Sequence, residues 1–570
     1  MGLFGYLLRT SRRAFLLAVA ASVISGGTGA AFIALVNLGL ERGDRPGAGL
    51  VAAYVGLCVV TLATRFLSQS LLFRLSQGAI RDLRRTMIDA ILGARLRGLE
   101  KIGSAPLYST LSDDVVVIAD ALPGLPQLVS GAAFVVVCLG YLSVLSPLVA
   151  LAALVATAVG VAVYRAFGGY GMRSLTAARA EQDQLFEHFR GVTEGIKELK
   201  LNRHRRRVIA HDRLDRTADS YRRHSIVGLS IFEGAGGGGQ AVFFTLIGVM
   251  LFALPGTGLL GPRTLAAAVL TLLFAVSSLQ AVLTWLPVMG RASVALTQVE
   301  QRLAALAEAG HDLIASPITD ADPMPHNHFA RWRRIQLRGV THTYHGPKGE
   351  EFVLGPLDLT LRRGETLFVV GANGSGKTTF AKLLTSLYPP QAGSVCVDGV
   401  EVSDLDREEY RQLFSTVFAD FFLFDDLAGT GAGSDDGSTG QQLVARAESY
   451  LRRLELDHKV SIVDGRLSTT ALSRGQRKRL ALLLAYLEDR SVYVFDEWAA
   501  DQDPVFKDFF YTELLPELAR EGKAVVAITH DDAYFHLADR VVRLDYGQIR
   551  PEEIPSAPTM VGRRGPGSRG

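Results

Sequence analysis

Cysteine is scarce in this chain, with three residues, Cys58, Cys138 and Cys396, in a total of 570. They stand far apart, each inside an apolar run. They have neither the paired spacing of a metal site nor the density of a disulfide framework, and read as core or lipid-facing residues. A surplus of charge is missing as well. The 60 Lys and Arg against 57 Asp and Glu leave a formal +3, too little over this length to call for a nucleic-acid partner. What the chain has in excess is apolar character. Its 48% hydrophobic residues and mean hydropathy of +0.21 are high for a wholly soluble chain of several domains.

The excess lies in the first half, where six segments are apolar over about 20 residues or near it, the length that crosses a bilayer. They run approximately Ala14–Leu40, Leu50–Leu72, Leu128–Leu145, Pro147–Phe167, Ile226–Leu254 and Thr264–Met289. Arg9, Arg12 and Arg13 ahead of the first resemble the start of a signal peptide, but the apolar run continues without a cleavage site, which makes it a span. Basic residues crowd the connections after the second span (Arg74, Arg81, Arg84, Arg85) and after the fourth (Lys197, Lys200, Arg203, Arg205), placing both in the cytoplasm. Within them Asp82–Leu99 and Leu175–Asp219 repeat apolar residues at helical spacing, as helices continuing beyond the membrane do.

Ionisable residues inside spans are rare and costly, on the order of 2.5–3.5 kcal/mol for an arginine at mid-bilayer on an insertion scale. Arg65 lies in the second span; Glu233 lies in the fifth, ahead of Gly234-Ala235-Gly236-Gly237-Gly238-Gly239-Gln240. Two readings fit. Either Glu233 and Gln240 face a water-filled cavity, with Arg65 a further candidate for lining the substrate path and the glycines permitting close packing or a bend, or Arg65 snorkels and Glu233 sits at the inner interface. A helical pattern then continues to about residue 310, and prolines at 317, 323 and 325 mark 311–330 as a linker.

Beyond the linker, Gly371-Ala372-Asn373-Gly374-Ser375-Gly376-Lys377-Thr378 fits G-x-x-x-x-G-K-[ST] between a strand-like run, Thr366–Val370, and a helical one, Phe380–Tyr388. Glycines let backbone N–H groups turn inward around a chain of phosphates at a helix N-terminus; Lys377 reaches the β- and γ-phosphates and the Thr378 hydroxyl suits Mg²⁺. Thr379 extends this candidate ATP-binding run. Downstream, the apolar strand Ser491–Phe495 ends in Asp496 and Glu497, a carboxylate for Mg²⁺ beside one that orients or deprotonates the attacking water. Leu472-Ser473-Arg474-Gly475-Gln476 precedes a basic helix, and the strand Ala524–Ile528 runs into His530.

In combination these motifs resemble the ATP-binding cassette transporter family over nearly the whole chain. The resemblance implies an α-helical six-span transmembrane domain (1–310) followed by an α/β P-loop nucleotide-binding domain (331–550). That domain would have a helical subdomain near Gln441–Arg490; the tail 551–570 reads from its composition as disordered. It implies that Ser473, Gly475 and Gln476, from the family's signature L-S-G-G-Q, complete the ATP site of an opposite subunit. His530 would contact the γ-phosphate, Tyr344 would stack on adenine and Asp503 would reach across the dimer. ATP and Mg²⁺ are the implied cofactors. One departure stands out: the family's glutamine after Val417-Phe418 is Ala419 here, and Asp420 either stands in for it at Mg²⁺ or caps a following helix. Gly429–Gly440 reads as a surface insertion.

Finer features resemble the bacterial cyclic-peptide exporter subfamily: Gly195–Asn202, Phe418–Phe424, Arg477-Lys478-Arg479 and Trp498-Ala499-Ala500-Asp501-Gln502. The resemblance implies a homodimeric half-transporter in the bacterial inner membrane. It would use ATP to export a cyclic peptide, lipopeptide or siderophore precursor, with short helices near Pro106–Asp114 and Lys197–Arg206 docking on the cassettes. The competing expectations are a lipid or multidrug flippase and a membrane-anchored ATPase that senses or regulates without transport.

Overall fold

The computed structural model describes residues 12–42, 47–254, 260–308, 310, 328–345, 351–427 and 437–550. The expected linker (mostly), the insertion's first eight residues and the tail lie outside them. The chain divides into two compact units, Met1–Ile88 with Ser104–Ala305, and Asp89–Gly103 with Leu306–Gly570.

Among the described residues, six helices, lying mainly in the first unit, are long and apolar enough to cross a membrane. Several greatly exceed a bilayer: Ala48–Gly93 has 46 residues and Pro147–Glu194 has 48, about 70 Å each at 1.5 Å per residue, against a hydrocarbon core of about 30 Å. Ser146 is extended and Pro147 opens the next helix, the expected tight connection. The glycine run lies within one unbroken helix, Asp215–Phe252. Gly239 shows the expected close packing: a Cβ on it would sit 3.8 Å from the Gly160 Cα of the Pro147–Glu194 helix, the approach that small residues allow. The long connection expected to be helical over Leu175–Asp219 is interrupted at Gly195 and at Asn202, whose side chain caps a new turn by accepting from the Arg205 N–H.

The second unit is built on a six-stranded sheet in the order Gln548–Arg550, Arg540–Asp545, Thr366–Val370, Ala524–Ile528, Val492–Asp496, Phe414–Val417. All neighbours are parallel except the first pair. The three central strands are buried at every position, as strands covered on both faces must be. Alternation divides their side chains between two cores. Leu367, Val369, Val492, Val494, Val526 and Ile528 enter one; Phe368, Val370, Tyr493, Phe495, Val525 and Ala527 enter the other, the period of two that pleating imposes. The latter core includes the helices Gly437–Arg453 and Arg474–Glu488. A four-stranded antiparallel sheet carries Tyr344 at the end of Arg334–His345.

The short helix Leu96–Ile102 belongs to this second unit, not to the first. Arg97 donates to the Thr343 carbonyl at 3.1 Å, next to Tyr344. Glu100 accepts from Lys382 at 2.7 Å and from the Tyr388 hydroxyl, which joins it to the helix that follows the cradle. The stretch expected as a docking tip, Pro106–Asp114, begins just beyond this helix. That stretch lies in the first unit, and the helix bound to the cassette ends at Gly103, whose φ of 82° closes it.

Candidate active site

Parallel strands present their carboxyl ends to one edge, where α/β sheets bind ligands. Four loops leave that edge here: the cradle after Val370, Glu497 after Asp496, His530 after Ile528, and Ala419-Asp420 after Val417. Backbone hydrogen bonds from Glu497 to Ile528 (3.0 Å) and from Thr529 to Val369 (3.1 Å) fix their spacing.

The cradle uses glycine where its backbone demands it. Gly374 and Gly376 have φ of 80° and 100°, and a Cβ on Gly376 would press within 3.0 Å of Leu354, so this conformation excludes side chains. Lys377 is buried and opens the helix Lys377–Leu384; its Nζ donates to the Gly371 and Ala372 carbonyls at 3.0 and 3.1 Å and lies 3.7 Å from Glu497. Thr378 donates to Asp496 Oδ2 at 2.8 Å. Asp496 Oδ1 and Ser375 Oγ are buried without a hydrogen-bond partner among the described residues. Burial raises the Asp496 pKa; the Thr378 bond opposes this, and Glu497 reinforces it. Asn373 and Gly374 are exposed on the loop, and Thr379 is half-buried behind it.

Glu497 and His530 meet, with Nε2 3.2 Å from Oε1. Glu497 has a left-handed φ of 52°, uncommon for a residue with a Cβ and sustained only by its surroundings. Those surroundings are definite. Its N–H is bound by Ile528, and its carbonyl accepts from the buried Lys478 Nζ at 2.6 Å. Lys478 also pairs with Asp501 at 2.7 Å, which lowers the Asp501 pKa.

Sequence reasoning singled out Lys478, Trp498 and Gln502 as marks of a subfamily and missed their work. Trp498 is fully buried, stacks on Phe510 at 4.3 Å and donates to the Lys478 carbonyl at 2.8 Å. Gln502 donates to the Gly475 carbonyl and accepts from Arg479, both at 3.0 Å. The stretch thus fastens the signature helix to the loop behind Glu497. A Cβ on Gly475 would strike the Asp501 carbonyl at 2.7 Å.

Other expected residues are placed as follows. Ser473 is exposed and forms a capping box with Gln476 at the start of Arg474–Glu488. Asp503 caps Pro504–Phe509 and pairs with Arg479; the Phe506 N–H and Arg479 lower its pKa. Among the described residues, their hydrogen bonds and ion pairs stay within the signature helix and the 503–506 turn. Tyr344 is half-exposed. Asp420 is exposed on a turn with no helix directly after it, which removes the capping alternative. In the membrane unit, Arg65 lines a polar cavity of about 360 Å³. Glu233, exposed, does not line it, and Gln240 accepts from Gln280 at 2.9 Å.

A phosphate cradle, a carboxylate-histidine pair and a signature helix on one edge of this sheet, with six bilayer-length helices in the same chain, define a membrane-bound ATPase. The family models agree: "ABC transporter" matches residues 354–500 and "ABC transporter transmembrane region" matches 14–285. The chain is 38% identical over 500 residues to the ATP-binding protein SyrD of Pseudomonas syringae pv. syringae, covering 87% of each. It is also 33% identical over 280 residues to the ATP-dependent lipid A-core flippase of Alkalilimnicola ehrlichii, 48% of this chain and 46% of that one. In fold it resembles a bacterial Atm1-family ABC exporter with ATP bound, with a TM-score of 0.71 at 16% identity over 96% of this chain and 95% of that one. The chain belongs to the ATP-binding cassette transporter family. It is a half-transporter of the exporter type, a multi-pass inner-membrane protein that hydrolyses ATP in a cytoplasmic domain.

Proposed function

We propose that two copies of this chain form an exporter that uses ATP to move a peptide-type cargo, a cyclic peptide, lipopeptide or siderophore precursor, out of the cytoplasm. The observation that carries the reading is the Trp498–Gln502 stretch, which resembles the cyclic-peptide exporters and is built into the core beside Glu497. Each chain brings one cradle and one signature. Gly371–Thr379 of one copy hold the nucleotide's phosphates, Tyr344 its adenine, and Ser473, Gly475, Gln476 and Asp503 of the other copy close the site. Glu497 takes a proton from the attacking water, and His530 steadies the γ-phosphate.

Thr378 and Asp496 would hold Mg²⁺; the partnerless, buried Oδ1 of Asp496 suits a cation. When bound, that ion offsets negative charge on the phosphates. Asp420 is exposed, without a hydrogen bond or ion pair among the described residues, and takes the place of the absent glutamine beside the metal. ATP binding draws the cassettes together and hydrolysis resets them, the membrane helices following through elements such as Leu96–Ile102.

The similarity to a lipid A-core flippase over about half the chain supports a lipid cargo as the second reading. The test is reconstitution into proteoliposomes, with Glu497→Gln as the inactive control and cyclic peptides, lipopeptides, siderophores and lipids as candidates. ATP-dependent accumulation of a peptide supports the proposal. Movement of lipid alone favours the flippase, and hydrolysis without accumulation of anything favours a sensor.

A further inference from the structure

The polar cavity of the membrane unit is an unusual place for a positive charge. Four helices line it: Arg12–Arg42 through Ser22 and Ser25, Ala48–Gly93 through Arg65 and Ser68, Leu125–Leu145 through Gln127, and Pro262–Glu308 through Ser277 and Ser278. Ser22 and Ser68 are buried and joined Oγ to Oγ at 2.7 Å, both also within reach of the Ala18 carbonyl, which pins the first two helices beside it. Among the described lining residues Arg65 alone is charged, and it has no ion pair or hydrogen bond to any described residue. Arg65 is exposed on the cavity wall, whereas Gln127 Oε1 is buried without a hydrogen-bond partner among the described residues.

A guanidinium offers five N–H donors in a planar fork that matches the oxygens of a carboxylate or phosphate. An arginine in a membrane span facing polar groups, with no anion beside it, lacks only the anion. A buried carbonyl oxygen lacks a donor, and leaving it unmet costs about 1–3 kcal/mol. The volume of about 360 Å³ falls within the range of small-molecule sites, roughly 300–1,000 Å³. Arg65 lies in the half of the expected span Leu50–Leu72 that is nearer the basic connection following it, the side expected to face the cytoplasm.

We infer that this cavity binds the anionic end of the cargo. Arg65 takes a carboxylate or phosphate, and Gln127 Oε1 accepts an adjacent N–H or O–H. The inference rests on the export reading above and narrows it to acidic cargo.

The test uses full-length protein in phosphatidylcholine nanodiscs and reads stimulation of ATP hydrolysis by N-dodecanoyl-glutamyl-glycine, by its fully amidated counterpart, and by added phosphatidylglycerol. The expected result is half-maximal stimulation by the acidic peptide at a concentration roughly tenfold or more below that of the amide, the scale of one charge-assisted contact. Arg65→Gln should erase that preference while basal hydrolysis persists, Arg65→Lys should keep part of it, and Gln127→Leu should weaken both peptides severalfold. Basal hydrolysis reports that each variant is folded. No acidic preference in the wild type, or an unchanged preference in Arg65→Gln, overturns the inference even where peptide transport succeeds. If phosphatidylglycerol alone stimulates in an Arg65-dependent manner, the anion is a lipid headgroup; the cavity's assignment then stands and the peptide reading falls.

Discussion

The nucleotide edge and the membrane cavity both contain a cation that needs an anion, and they treat it differently. Lys377 is held by two carbonyls of its own loop and lies near Glu497, whose backbone is clamped by Ile528 and Lys478. Arg65 has no such support. The first site is organised before any ligand arrives, as fast chemistry requires. The second leaves its charge to be met by the cargo, as a site that must also release its ligand does. The contrast places rigidity where bonds break and openness where molecules pass.

The comparison can be broken at the rigid end first. Glu497→Gln should lower ATP hydrolysis by about 10²–10⁴-fold, the range for removing a general base, with nucleotide binding retained; steady-state rates beside equilibrium binding check this. Lys377→Ala removes a charged donor worth about 1.5–3 kcal/mol and should weaken ATP binding on the order of ten- to a hundredfold, read by nucleotide titration. Lys478→Met leaves the Glu497 carbonyl without its partner and the Asp501 carboxylate with Arg474 alone, 3.2 Å away. The expected outcome is a lower kcat with little change in the KM for ATP, and a stability loss of about 1–3 kcal/mol by thermal unfolding. A fall in KM-linked binding alone would show that Lys478 does not position Glu497. Arg479→Lys, losing the planar fork shared by Gln502, Asp503 and Glu455, should cost about 1 kcal/mol. Arg65→Gln should leave basal hydrolysis unchanged, the smallest effect and the one that separates the two regions.

The two regions also differed in how far the sequence revealed them. Lys377, Thr378, Asp496 and Glu497 were legible because each lies at a strand end or on the one loop that follows it, so local pattern and tertiary place coincide. The bilayer-length helices were legible from apolar length. The cavity was legible only in part: Arg65 stood out as a charge inside a span, but Ser22, Gln127 and Ser278 come from three other helices and form no motif, and Glu233 does not line it. Leu96–Ile102 was missed as the docked helix because seven residues carry too little periodicity to distinguish it from its neighbours.

The claim that carries most of this account is that each ATP is held between two copies of the chain. It is tested by mixing two inactive variants, Lys377→Ala and Ser473→Arg, during reconstitution. A mixed dimer has one intact cradle facing one intact signature, so the account predicts that the mixture hydrolyses ATP while neither variant does so alone. A mixture as inactive as its components, with dimers shown to form and exchange, would contradict it.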